Sequence, residues 1–297
     1  MNGAGKSGDP PPFAPCLNPA TLTGLGLVRF LRLAAGAGFT DVEVPIQQVL
    51  ACGPDRARDI LGALGLRAAA ASGILPAGPV LPHPVLTSDA VFTAAREDLP
   101  ARLAAFQAIG CPVATIALNP RAAGDPQTAR ATAAHRIGEL AGACADHGVT
   151  LAVEAVSVTR GLPAELDGPA MVAATLPQLR DLLDQAGGGA AVCVDSFHWA
   201  AAGADPRHLD GLRIGHVQIA DAPPGIPAAE WTDAMRLFPG DGRLDWPRLG
   251  DALRAGGYSG AVSVELFNPH LRALPEADIA RRALGAATRC WLNGAGR

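Results

Sequence analysis

The chain has 297 residues, 49% of them hydrophobic and 18% charged, and 24 Lys and Arg against 28 Asp and Glu leave a net charge of −4. That length suits one large α/β domain with a sizeable core, and the acidic balance with scattered arginines excludes the basic footprint of a nucleic-acid binder. Six cysteines at 16, 52, 111, 144, 193 and 290 form no CxxC pair and read as reduced thiols of a cytoplasmic protein.

The opening MNGAGKSGDPPP is rich in Gly, Pro and Ser. It lacks a charged flank followed by an apolar signal core, so residues 1–11 are expected as a disordered tail and 12–297 as a single domain. Apolar runs are too short or too interrupted by charge to span a bilayer. Phe13 to Leu17 predicts a first strand ending at Asn18-Pro19, and Leu22 to Ala35 a helix stopped by Gly36-Ala37-Gly38. Thr40 to Val44 alternates as a second strand with Glu43 near its end, before a helix from Pro54 to Leu64 and a third strand from Ala69 to Leu75. Pro76 to Thr87 reads as a loop, Ser88 to Ile109 as one long amphipathic helix, and Pro112 to Leu118 as strand four.

The second half alternates more clearly. A helix over Asp125 to His147 precedes strand five at Thr150 to Glu154, and a helix over Gly168 to Gln185 precedes strand six at Ala190 to Asp195. Strand seven is Leu212 to Ile219, followed by a long loop from Asp221 to Arg243 and a helix from Trp246 to Ala255. Strand eight is Gly260 to Leu266, and Glu276 to Trp291 closes the chain as a helix. Eight short strands alternating with helices predict an α/β fold, a closed parallel (β/α)8 TIM barrel. The competing dinucleotide-binding open sheet would show GxGxxG after strand one, and none is there.

Strands five to eight each end in an oxygen-bearing side chain: Glu154, Asp195, Gln218 and Glu265. In a parallel barrel these ends share one face. Three carboxylates brought together resist sharing a site unless a cation joins them. An all-oxygen set suits Mg²⁺ or Mn²⁺ best, with Zn²⁺ and Co²⁺ as alternatives. His216 is the alternative ligand on strand seven, one layer deeper. His198, three residues past Asp195, reads as a substrate-facing group or a core histidine, and Arg236 as a pocket residue or a surface charge. Asn18, Glu43 and Asn119 are pocket candidates or local caps, and His83, Trp199 and Trp231 are rim candidates or ordinary packing. No Gly-rich phosphate cradle stands out, which favours an unphosphorylated substrate.

VEAV at 153–156, VDSFHWAAAGAD at 194–205, HVQIAD at 216–221, FPGDGRLDW at 238–246 and GYSGAVSVELFNP at 257–269 resemble the xylose-isomerase-like sugar isomerase and epimerase superfamily. Within it the DSFH turn, the Arg before PGxG and SVELF look most like the inosose isomerases. The resemblance is thin before residue 150, where LNPATL at 17–22 and DVEV at 41–44 fit loosely. It implies a divalent metal held by Glu154, Asp195, Gln218 and Glu265, with the two glutamates as the acid/base pair. It also implies that His198 and Arg236 touch substrate oxygens; Glu43 and Asn18 are added as pocket residues. One departure stands out: inosose isomerases carry His where this chain has Gln218, and Gln there looks like the hydroxypyruvate isomerase and dehydroshikimate dehydratase branches.

The implied reaction is isomerisation or epimerisation of a keto-sugar or keto-cyclitol through an enediolate, with a lyase or dehydratase on the same scaffold as the alternative. The lyase alternative takes in cleavage of oxidised C-glycosides. A nuclease of the AP-endonuclease type would need a richer His/Asp cluster and a basic face, and a relic binding protein would not retain all three carboxylates. The expected partner is a small molecule, neither nucleic acid nor membrane, and the sequence leaves a homo-oligomer open.

Overall fold

The computed structural model describes residues 13–76, 84–162 and 168–292. The expected tail at 1–11, most of the loop from Pro76 to Thr87, and His83 lie outside the described residues. Eight strands, β1 (Ala14–Leu17), β2 (Asp41–Pro45), β3 (Arg67–Ser72), β4 (Val113–Leu118), β5 (Thr150–Ala155), β6 (Ala191–Asp195), β7 (Ile214–Ile219) and β8 (Ala261–Val264), pair in sequence order and close through β1 against β8. Every neighbouring pair is parallel. The chain is therefore a single (β/α)8 barrel, as its alternating pattern predicts. Among the described residues no helix is long and apolar enough to cross a membrane.

The helices are α1 (Leu27–Ala37), α2 (Ile46–Cys52), α3 (Pro54–Ala63), α4 (Asp89–Glu97), α5 (Leu99–Ala108), α6 (Pro126–Ala145), α7 (Leu176–Gln185), α8 (Ser196–Ala201), α9 (Trp246–Ala255) and α10 (Glu276–Arg289). Ser88, Asp125, Thr175 and Asp245 start α4, α6, α7 and α9 by accepting a hydrogen bond from an N–H in the first turn. Two expected helices are corrected. The stretch from Ser88 to Ile109 is broken at Asp98, because Pro100 has no N–H and fits only the first turn of a new helix. The helix expected from Gly168 begins at Leu176, and Ala170–Met171 pairs antiparallel with Arg121–Ala122 instead.

Side chains of graded size and polarity fill the barrel. A small apolar layer of Ala70, Val113, Ala152 and Cys193 lies inside the ring, separate from the main core between sheet and helices. The polar strand ends sit above it, so they rest on a packed floor. Two glycines of α6 show how close the outer packing is. A methyl group at Gly138 would come within 2.8 Å of the Ala186 carbonyl oxygen, whereas one at Gly142 would meet nothing within 4 Å.

The loop after β7 is organised by Asp221, a fully buried carboxylate. Its Oδ1 accepts from Ala222 N at 2.8 Å and Leu244 N at 3.0 Å, and its Oδ2 from Gly240 N at 2.9 Å and Trp246 Nε1 at 2.8 Å. Its backbone exchanges two hydrogen bonds with Leu237, the residue after Arg236. Gly242 allows this approach, since a Cβ there would lie 2.4 Å from Asp221 Oδ1.

Gly142→Ala is expected to stabilise the fold by about 1 kcal/mol through helix propensity, and Gly138→Ala to destabilise it by about 1–3 kcal/mol through overpacking, both read from urea unfolding. Asp221→Ala strips four N–H groups of their acceptor and is expected to cost about 3–5 kcal/mol in the same assay. A loss under about 1 kcal/mol would show that water replaces the carboxylate and that the loop does not depend on it.

Candidate active site at the C-terminal mouth of the barrel

The strands run one way, so their C-terminal ends deliver side chains to one mouth. Glu154 near the end of β5, Asp195 at the tip of β6, Gln218 near the end of β7 and Glu265 just past β8 are all buried there, although 111 positions separate the first from the last. Cross-strand register sets Asp195 beside Gln218, and Ser263 beside Gln218 on the other flank.

Arg236 stands at the centre of this group and is 1% exposed. Its Nη1 donates to Asp195 Oδ2 at 2.5 Å and lies 3.4 Å from Glu265 Oε2, while its Nε donates to Asp233 Oδ1 at 3.0 Å. The guanidinium is flanked by the rings of Phe197 and Phe267, with its carbon 4.9 and 5.3 Å from their centroids. Its backbone carbonyl accepts from Asn268 Nδ2 at 3.1 Å. A surface position for this charge is therefore ruled out. Its Nη2 lies 2.9 Å from Asp233 Oδ1 and 3.2 Å from His198 Nε2.

Asp195 does two jobs. Its Oδ1 caps α8 by accepting from the N–H groups of Phe197 and His198 at 2.7 and 3.0 Å, which leaves Oδ2 for Arg236. The cap carries His198 into the site. Val158 N–H donates to His198 Nδ1 at 3.2 Å, and Nε2 lies 3.2 Å from Arg236 Nη2 and 3.5 Å from Glu154 Oε1. Asn18 and Gln218 both donate to Glu265 Oε1, at 3.0 and 3.1 Å.

The charges are unbalanced. Burial pushes the Glu154 carboxyl well above the glutamate range, and the negative charge of Asp195 adds to that. Burial does the same to Glu265, against the pull of Arg236. Asp195 is also buried, yet Arg236 beside it holds its carboxyl below the usual aspartate range. Burial lowers His198, so the ring is neutral. Glu154, Asp195 and His198 each offer one ligand atom within 4.8 Å of the others. A buried excess of carboxylate over cation, with oxygen and imidazole donors converging, fits a divalent metal ion.

Glu43 lies deeper than the expected pocket wall: it is 2% exposed, under Gln218, and its Oε1 is 2.9 Å from His216 Nε2. His216 thus faces Glu43, as its deeper layer predicts. Asn119 is buried at the end of β4. Trp199 and Trp231 are packing residues whose ring N–H groups donate to the carbonyls of Asp205 and Ile226. Asp221, Asp233, Phe197 and Phe267 are contributors that strand-end reasoning passes over. Asp221 closes the HVQIAD run just past β7, and that position was the signal for it.

Several known proteins share parts of this chain. The 3-dehydroshikimate dehydratase of Pseudomonas putida is 39% identical over 106 residues, 34% of this chain and 17% of that protein. The inosose isomerase of Bacillus velezensis is 30% identical over 149 residues, 49% of each. The chain spans about half or less of the length of these curated relatives. A solved IOLI protein with a bound zinc atom superposes with a TM-score of 0.78 at 19% identity, covering 94% of this chain and 98% of its own, a likeness of fold. The family described as xylose isomerase-like TIM barrel matches residues 31–290. With nearly the whole barrel inside that match, the chain belongs to the xylose isomerase-like TIM barrel family.

Proposed function

We propose that the chain is a metal-dependent isomerase or epimerase of an unphosphorylated keto-sugar or keto-cyclitol, moving a proton through an enediolate. The observation that carries this reading is the pair of buried glutamates, Glu154 and Glu265, both pushed towards the protonated form around the ionised Asp195–Arg236 pair. Carboxyls that hold a proton near neutrality suit general acid and base work on a carbon acid. The relatives named for inosose isomerisation and 3-dehydroshikimate dehydration handle a ring ketone, which supports this substrate class.

A divalent ion would be held by Glu154, Asp195 and Glu265, with Gln218 as the strand-seven member, and when bound it would polarise a ketone and its neighbouring hydroxyl. Mn²⁺ or Mg²⁺ follows from the carboxylate-rich set. His198 in the same cluster and the zinc of the IOLI neighbour bring in Zn²⁺. One glutamate removes the proton from the carbon next to the carbonyl, and the other returns a proton. Return to the same carbon from the opposite face is epimerisation; return to the former carbonyl carbon, with the hydroxyl proton passing from the neighbouring oxygen to the former carbonyl oxygen, is isomerisation. His198, whose Nε2 faces Glu154 and Arg236, touches a substrate oxygen. Arg236 keeps Asp195 ionised and in place, and adds a fixed positive charge near the developing oxyanion. Asn18 donates to Glu265 Oε1 and so helps to hold it in place.

Elimination is the second reading. The 39% identity to a 3-dehydroshikimate dehydratase favours it, because the same carbanion can expel a β-hydroxyl as water.

The test is incubation of the Mn²⁺-loaded protein with inososes, ketoses and 3-dehydroshikimate in deuterated water, followed by mass spectrometry and NMR. Isomerase or epimerase activity is expected to place deuterium at one carbon beside the carbonyl with no loss of water, and a dehydratase product is lighter by one water. Glu154→Gln and Glu265→Gln are each expected to slow exchange by about 10²–10⁴-fold. Wild-type rates in either variant would remove that glutamate from the acid/base pair.

A further inference from the structure

The carboxylates around Arg236 are graded by depth. The Asp195 side chain is 0% exposed, those of Glu154 and Glu265 are 10% exposed, and that of Asp233 is 32% exposed. Asp233 is therefore the outermost of the four and the first that a solute meets at the mouth. It opens the 3₁₀ turn Asp233–Met235 in the loop after β7. Its Oδ1 accepts from Arg236 Nε at 3.0 Å and lies 2.9 Å from Arg236 Nη2 and 4.0 Å from His198 Nε2. Among the described residues none donates to its Oδ2.

Nε and Nη2 share one edge of a guanidinium, and that edge is a ready seat for a planar carboxylate. In Arg236 the seat is taken by Asp233. Nη1 is held by Asp195 at 2.5 Å, with Glu265 Oε2 at 3.4 Å. Among the described residues no other arginine pairs with the four acids. Arg121 donates to the Gly168 carbonyl at 3.3 Å, and Arg160, Arg243 and Arg272, in the loops after β5, β7 and β8, are exposed. Residues 77–83 and 163–167 contain no Lys or Arg. A divalent ion would bring two more positive charges, which with Arg236 make three against four carboxylates. One glutamate holding a proton evens the count and leaves nothing over for a fifth carboxylate.

We propose that Asp233 is a specificity-determining residue: it suits the mouth to an uncharged, polyhydroxylated ketone and turns away a ketone that carries a carboxylate. This rests on the enediolate reading above and narrows its substrate class. Oδ2 offers an acceptor to a substrate hydroxyl, while Oδ1 keeps the carboxylate-binding edge of Arg236 closed. The charge of Asp233 also repels an approaching anion. A like charge placed against the wrong ligand is a general route to specificity.

The test compares two ketones as ligands of the full chain loaded with Mn²⁺, by calorimetry. 2-Keto-myo-inositol is the uncharged probe and 3-dehydroshikimate the carboxylate. The proteins are wild type, Asp233→Ala and Asp233→Glu, with thermal melts of each alongside. Wild type is expected to bind the uncharged ketone about tenfold or more tightly than the acid. Asp233→Ala opens the Arg236 edge and removes the repelling charge, so the ratio of the two affinities is expected to move by about tenfold or more towards 3-dehydroshikimate. Asp233→Glu keeps the charge and is expected to hold the preference for the uncharged probe. A merely structural role would weaken both ligands alike, and a ratio unmoved in Asp233→Ala overturns the proposal. So does a wild type that prefers 3-dehydroshikimate, an outcome that leaves the enediolate chemistry standing. If Asp233→Ala does not fold, Asp233→Asn removes the charge at the same shape and carries the same comparison. A wild type that binds neither ketone overturns the substrate class proposed above, and this inference with it.

Discussion

Four acidic side chains, the buried Glu154, Asp195 and Glu265 and the half-buried Asp233, gather around one buried guanidinium. Two like unit charges 4 Å apart repel by about 4 kcal/mol at an effective dielectric of 20, so the group cannot be fully ionised with Arg236 as its sole cation. The burden is shared unevenly. Asp195 has the shortest contact with Arg236 and two backbone N–H donors, so it stays ionised. The two glutamates are left to hold protons or to wait for another cation. Chemical capacity thus comes from an imbalance that the fold sustains.

Sustaining it takes structure well outside the site. Arg236 is useful only if its backbone cannot drift, and Asp221 sees to that by pairing with Leu237 and gathering the N–H groups of the following turn. The guanidinium carbon also lies over the rings of Phe197 and Phe267, which add apolar contact to the ionic ones. Beneath, the small apolar layer of Ala70, Val113, Ala152 and Cys193 underlies the polar ring.

Sequence reasoning reaches the barrel because a parallel strand buried on both faces reads as a short apolar run, and turn chemistry brackets it. It reaches Glu154, Asp195, Gln218 and Glu265 because they end such runs, and the topology does the rest. It loses the break at Asp98, where Pro100 looks like an interior helix residue until the first-turn exception is applied. It does not show the pairing of Glu43 with His216, because the two lie 173 positions apart and meet only inside the closed barrel. Arg236 could not be aimed from sequence, since a long loop carries no periodicity. Its place is fixed by Asp195, Asp233 and Glu265, which meet its guanidinium, and by the pairing of its neighbour Leu237 with Asp221.

The two glutamates are held in different surroundings. Glu265 Oε1 receives N–H donors from Asn18 and Gln218, and its Oε2 faces Arg236. Those donors and that cation favour the ionised form, against the burial that raises this carboxyl. Glu154 lies 3.5 Å from His198 Nε2, and after burial its strongest influence is the repulsion of Asp195, with Arg236 opposing it. Burial thus works on both carboxyls in the same direction, while their partners differ: amide donors on one, a second carboxylate on the other. On the proposed chemistry the same pair serves isomerisation and elimination alike, and the substrate's own leaving group separates the two outcomes.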